Sequence, residues 1–105
     1  MATYLIARER DIIRQAGDKA EFQFYVPAVI DMAGKGIEFI VTDSNGNVLI
    51  NKSGSDVTIN GQFVTIPFIP EDTQEQVGKH RWSVAVTDTD GPIHIGKGMF
   101  EIQAV

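Results

Sequence analysis

The segment with most chemical promise is Gly91-Pro92-Ile93-His94-Ile95-Gly96-Lys97-Gly98. It runs close to the phosphate-binding pattern G-x-x-x-x-G-K-[ST], in which glycine N–H groups cradle a polyphosphate and a final hydroxyl holds magnesium. The last place here is Gly98, so that hydroxyl is missing. The pattern also needs a helix after it, whereas these residues alternate in polarity and lead into another alternating run. They read as a glycine-relieved edge strand or bulge, with Lys97 exposed to discourage pairing with another sheet edge. Asp43-Ser44-Asn45-Gly46-Asn47 opens like a calcium loop, but Val48 and Gly54 stand where glycine and glutamate are needed. Asn45-Gly46 instead carries the signature of a type I′ hairpin turn. Asp88-Thr89-Asp90-Gly91 reads as a turn on the same grounds.

The other reactive side chains are scattered. His80 and His94 lack the paired spacing of metal ligands, and both fall in alternating, strand-like runs. Ser44, Ser53 and Ser55 lie in turn-rich segments, Ser83 alternates outward beside Trp82, and no G-x-S-x-G elbow is present. Glu71, Asp72 and Glu75 cluster where a helical turn is expected, and acids there stabilise a helix start. Asn51-Lys52-Ser53 fits a glycosylation acceptor, expected to be idle without a secretory signal. The chain has no cysteine, hence no disulfide, thiolate nucleophile or cysteine-based metal site. On these residues the protein is expected not to be an enzyme. No catalytic, cofactor-binding or metal-binding residue is assigned, and no small-molecule substrate is expected.

These side chains must be carried by something of modest size. At 105 residues, 43% hydrophobic and 22% charged, the chain suits a single domain over residues 1–105 with one core. Its formal charge of −5 argues against a general electrostatic grip on nucleic acid or an anionic membrane. No apolar run reaches the roughly 20 residues a spanning helix needs. Met1-Ala2-Thr3-Tyr4-Leu5-Ile6-Ala7-Arg8 does not read as a signal peptide, which points to the cytoplasm or to an assembly built there.

Ile and Val together number 23 against two Leu, a balance that suits pleated sheet. Apolar residues recur at every second place in Ala20–Val26, Ile37–Thr42, Gln62–Ile66, Arg81–Thr87 and Gly98–Ile102. Turn residues separate the runs, including a second Asn-Gly at Asn60-Gly61. Strands are predicted at about 10–15, 19–26, 36–43, 47–51, 56–66 (one bent strand or two), 79–88 and 93–103, with one short helical turn near 71–77. The expected fold is all-β, an immunoglobulin-like two-sheet β-sandwich of about seven antiparallel strands, with a small barrel as the competing architecture. Trp82 is predicted to anchor the core. By alternation Ile40, Ala85, Tyr25 and Phe63 point outward, and several such residues on one sheet would suit a protein partner.

The order of these pieces resembles the small immunoglobulin-like domains of phage and prophage structural proteins, of the kind found at the N-terminus of baseplate upper proteins. The resemblance rests on Ile12–Lys19 with its Gly17-Asp18 turn, on Ile30-Asp31-Met32-Ala33-Gly34, and on Asp43-Ser44-Asn45-Gly46. It continues through Ile69-Pro70-Glu71-Asp72-Thr73, Gly78-Lys79-His80-Arg81-Trp82 and Gly98-Met99-Phe100-Glu101-Ile102, covering nearly the whole chain. It implies a non-enzymatic virion component associated with the tail or baseplate, assembled in the bacterial cytoplasm. Its partners would be other virion structural proteins and, through symmetric contacts, further copies of itself. It implies no catalytic residues and no cofactor. Family members commonly carry a further region that attaches receptor-binding or fibre parts, and this chain has no counterpart of it up to Val105. The rival expectation is a bacterial surface adhesion or glycan-binding module on the same sandwich. Such a site needs exposed aromatics flanked by amides, and Tyr4, Tyr25 and Trp82, the only Tyr and Trp, lie far apart in sequence.

Overall fold

A computed structural model describes residues 8–9, 12–17 and 19–104. Nine strands follow in chain order: β1 (Arg8–Glu9), β2 (Ile12–Gln15), β3 (Ala20–Tyr25), β4 (Gly36–Thr42), β5 (Val48–Ser53), β6 (Thr58–Asn60), β7 (Phe63–Phe68), β8 (Gly78–Asp88) and β9 (Gly91–Gln103). One sheet has the order β1-β9-β8-β4-β5, with β2 also pairing β9, and the other has the order β3-β7-β6. The two sheets form the immunoglobulin-like sandwich that the alternation predicts. The expected 56–66 run is two strands, folded at Asn60-Gly61 with Asn60 opposite Phe63.

Three expectations need correction. The strands are not all antiparallel: β1 and β2 run parallel to β9, with Ile12 opposite Phe100 and Gln15 opposite Gln103. Hairpins force antiparallel neighbours, but no hairpin joins the two ends of the chain. The turn after β2 instead carries the chain across to the other sheet, which leaves β2 beside β9 in the parallel sense. Second, the helical segment α1 is only Pro70–Thr73, and Gly54–Asp56 forms a further 3-10 turn. Asp72 accepts the Ile69 N–H at 2.8 Å at the start of α1. Thr73 is buried at its end, where its hydroxyl accepts the Gly17 N–H at 2.9 Å. Val77 is exposed, so there is no apolar stripe to extend the helix. Third, β9 is an interior strand, flanked by β8 on one side and by β1 and β2 on the other.

The core between the sheets is aromatic at its centre. Trp82 of β8 is 4% exposed, as predicted. Its ring lies 5.7 Å from Phe39 of β4 at an interplanar angle of 20°, and meets Phe22 of β3 edge-on at 5.3 Å. Phe68 and Phe100 continue the cluster, 5.5 Å apart. Antibody domains pin their sheets here with a disulfide covered by a tryptophan from another strand. This chain pins them with Phe22 and Trp82, with Phe39 alongside, and needs no sulfur. His80 lies two residues before Trp82, near the start of β8. Its Nε2 lies 2.6 Å from the Gln76 carbonyl oxygen, fastening the start of β8 to the turn before it.

Candidate functional site

Gly91–Gly98 is built around Trp82. Gly96 pairs with Val84, and β9 is irregular there, Ile95 being the extra residue between His94 and Gly96. This is the bulge the sequence suggests. A Cβ on Gly96 would stand 3.1 Å from Trp82 Cη2 and 3.2 Å from Val84 Cγ1, closer than side-chain carbons normally pack. The glycine makes room for the indole. The segment continues as strand to Gln103, so no helix N-terminus faces a phosphate.

The Asp43–Asn47 turn uses its own carboxylate. Asp43 Oδ1 accepts the N–H groups of Asn45 and Asn47, both at 2.9 Å, and Oδ2 accepts the Asn47 side-chain amide at 3.1 Å. The bonds from Asn47, backbone first and then side chain, hold the Asp43 carboxyl below the usual carboxylate range, with smaller help from Asn45 and His80. The turn is not type I′, which needs positive φ at both central residues. Gly46 has φ +84°, but no residue other than glycine has positive φ among the described residues. The Gly46 N–H donates to the Asp43 carbonyl at 3.0 Å, so Ser44 and Asn45 are the central residues of the turn, both without positive φ, and Gly46 supplies the left-handed residue after them. Asn60-Gly61 departs in the same way: Gly61 (φ +61°) and Gln62 are the central pair, the type II′ arrangement.

The histidines do not meet. Across-strand neighbours share a face, so His80, opposite Phe100, lies on the core side and His94, opposite Ala85, on the outer side. Ser83 points outward between Ile40 and Lys97, and Ser44 and Ser55 are exposed. Asp72 forms an ion pair at 2.8 Å with Lys52, which lies opposite Phe39 on the core side of β5. This pair ties α1, which follows the small sheet, to the free edge of the large one. It was not foreseen, because only the register turns Lys52 inward. Gln62 was also missed. Its amide nitrogen reaches the carbonyls of Val26, Pro27 and Ile30 at 2.9–3.1 Å and holds the segment after β3. No group of three or more His, Asp or Glu is placed to hold a metal among the described residues.

The four apolar residues predicted to point outward divide between two faces. Ile40 and Ala85 belong to the six-stranded sheet, and Ala85 is buried between Glu38 and His94. Around them the outer face carries Met99, 36% exposed, and Ile13, 53% exposed. Charge is divided along the strands. Arg81 and Lys79 are exposed toward the Thr42 end, with Glu101 opposite Lys79, Lys97 is exposed in the middle row opposite Ser83, and Glu38 stands toward the Gly36 end. A shallow depression beside Arg81 and Met99 runs up to Ser44. Tyr25 and Phe63 lie on the outer face of the small sheet, ring centres 4.9 Å apart, with Tyr25 72% exposed.

No family model matches the chain, and no curated protein matches it. Among solved structures it is similar to an immunoglobulin-domain chain of the ZIG-8–RIG-5 IG1–IG1 heterodimer, at TM-score 0.54 and 12% identity over 97% of this chain and 89% of that one. It is also similar to part of a provisionally assigned glycoside hydrolase from Bacteroides vulgatus, at TM-score 0.53 and 14% identity. That match covers 90% of this chain but only 16% of the hydrolase chain. At such identities the likeness defines the class, an immunoglobulin-like β-sandwich domain.

Proposed function

We propose that the chain is a non-enzymatic docking module of a phage or prophage virion, associated with the tail or baseplate, and that it binds other virion structural proteins. The observation that carries this reading is the outer face of the six-stranded sheet. Ile40, Met99 and Ile13 give it apolar area, and flanking charges give it direction. Such a mixed surface on a rigid sheet suits repeated contacts between subunits. The biological setting is drawn from the sequence, whose order of turns and strands resembles that of baseplate immunoglobulin-like domains. The test is mass spectrometry of particles purified from the host that carries the gene. The chain should co-purify with tail proteins, and Ile40→Asp should reduce its incorporation while leaving it folded. Recovery from the cell envelope and absence from particles would defeat the reading.

A second reading, a glycan-binding adhesion module, draws on Tyr25. Its exposed ring is backed by Phe63 and lies near the amides of Gln23 and Asn60, the arrangement a sugar face needs. Binding of oligosaccharides on an array, lost in Tyr25→Ala, would favour it over docking.

A further inference from the structure

We infer that the docking face of the six-stranded sheet is self-complementary and that its partner is a second copy of this chain, packed face to face about a two-fold axis. The inference rests on the docking reading above and adds the identity of one partner. It starts from how charge lies along the sheet. At the Thr42 end the outer face carries Arg81 and Lys79, with Glu101 opposite Lys79, while Lys97 lies in the middle row opposite Ser83, with Glu9 beside it in register on β1. Glu101 is already engaged by the Gln103 amide at 3.2 Å. At the other end stands Glu38, and the turns beyond it carry exposed Asp56 and Asp90. Arg81, Lys79 and Glu38 form no ion pair with any described residue, in contrast to Lys35, which has Asp88 at 4.0 Å beside it.

Symmetry then limits how two such faces can meet. An axis along the strands would lay basic end on basic end. An axis across the strands lays each strand antiparallel over its own copy and sets basic end on acidic end. Centred on the Ile40–Ser83 pair, that operation places Arg81 over Ala85 of the second copy and keeps Lys97 near the axis, in one row with Ser83 and Glu9. Ala85 is the smallest outer side chain of its row, flanked by Glu38 and His94. Ala85 itself is covered by these two neighbours, so Arg81 meets the Glu38 carboxylate at the surface of the row, a partner that suits a guanidinium. Ile40 lies near the axis, and Met99 adds apolar contact to one side. Five strands at about 4.8 Å spacing and some 20 Å of length bury on the order of 1,000 Å² in total, the lower bound for a specific interface. A weak, salt-sensitive dimer is expected, suited to assembly at high local concentration.

Sedimentation equilibrium of the whole chain over about 5–500 μM tests this, and a dissociation constant of roughly tens of micromolar is expected. Arg81→Glu should weaken association at least about tenfold, and Glu38→Arg should do the same. The double variant E38R/R81E restores complementarity and should return to within about threefold of the parent. Lys79→Glu, at an exposed position farther out, should cost about threefold, and thermal melts check that each variant folds. A monomer across the whole range, a dimer indifferent to Arg81→Glu, or a double variant no better than the singles would each overturn self-association. A monomer still found in particles would leave the docking reading standing. A charge-dependent dimer absent from particles would remove the docking reading and keep this one.

Discussion

The two outer faces of the sandwich come from one alternating pattern and differ in chemistry. The six-stranded sheet turns out Arg81 and Lys79 toward one end, Lys97 in the middle row and Glu38 toward the other end. The three-stranded sheet turns out Gln23, Thr65, Thr58 and Asn60 around Tyr25 and Phe63, with Glu21 its one outward charge. Their edges differ too. β9 is closed on its outer side by β1 and β2, whereas among the described residues no strand pairs the far side of β3. There the Arg14 guanidinium donates to the Glu21 carbonyl at 2.9 Å, giving that edge oxygen a partner. The large sheet thus presents a charged, directional surface. The small one presents a neutral surface with an aromatic pair, and one arginine reaches its open edge.

The sharpest way to break this comparison is to treat one aromatic from each setting alike. Trp82→Ala, between the sheets, should lower unfolding free energy by about 3–5 kcal/mol in urea. Tyr25→Ala, on the outer face of the small sheet, should change it by no more than about 0.5 kcal/mol. Equal losses would mean that the Tyr25–Phe63 pair is structural and unavailable to a ligand. Gly96→Ala should have an intermediate effect, about 1–3 kcal/mol, because its methyl group must displace the Trp82 indole or Val84. A neutral result there would show that β9 can shift, and with it the outer row that carries Lys97.

The smallest expected effect concerns the β4–β5 turn at the basic end of the large sheet. Asp43 has a depressed pKa in the folded chain, so it binds its proton less readily folded than unfolded. Its contribution to stability is complete above the unfolded value and is lost as pH falls below about 4 through the folded value. Urea midpoints at neutral and acid pH should therefore converge in Asp43→Asn relative to the parent. An unchanged acid dependence would show that the Asn45 and Asn47 bonds do not favour the carboxylate.

Much of the fold was legible because strand periodicity and turn chemistry are local. Ile37–Thr42 and Arg81–Thr87 alternate in sequence and appear as β4 and β8 with their apolar residues inside. Asn45-Gly46 and Asn60-Gly61 mark real turns, although glycine alone takes the unusual conformation. The candidate surface was only half legible. Alternation placed Ile40 and Ala85 outward, but two residues on different strands share a surface only through register, which no local pattern records. For the same reason Tyr25 and Phe63 could not be separated from Ile40 and Ala85 before the sheets were known.

Composition, alternation and the spacing of glycine and asparagine by themselves determined an all-β domain with Trp82 inside and phosphate and calcium motifs incomplete. Tertiary structure alone decided that the first strands lie parallel to the last, that Gly96 exists to accommodate an indole, and that Lys52 turns inward to Asp72. It alone set Arg81 and Glu38 on one face at opposite ends. The physical reason is distance along the chain. Short-range sterics and polarity fix what each segment becomes, while pairing between segments far apart is chosen by the burial of a shared core, and charge follows wherever that register puts it.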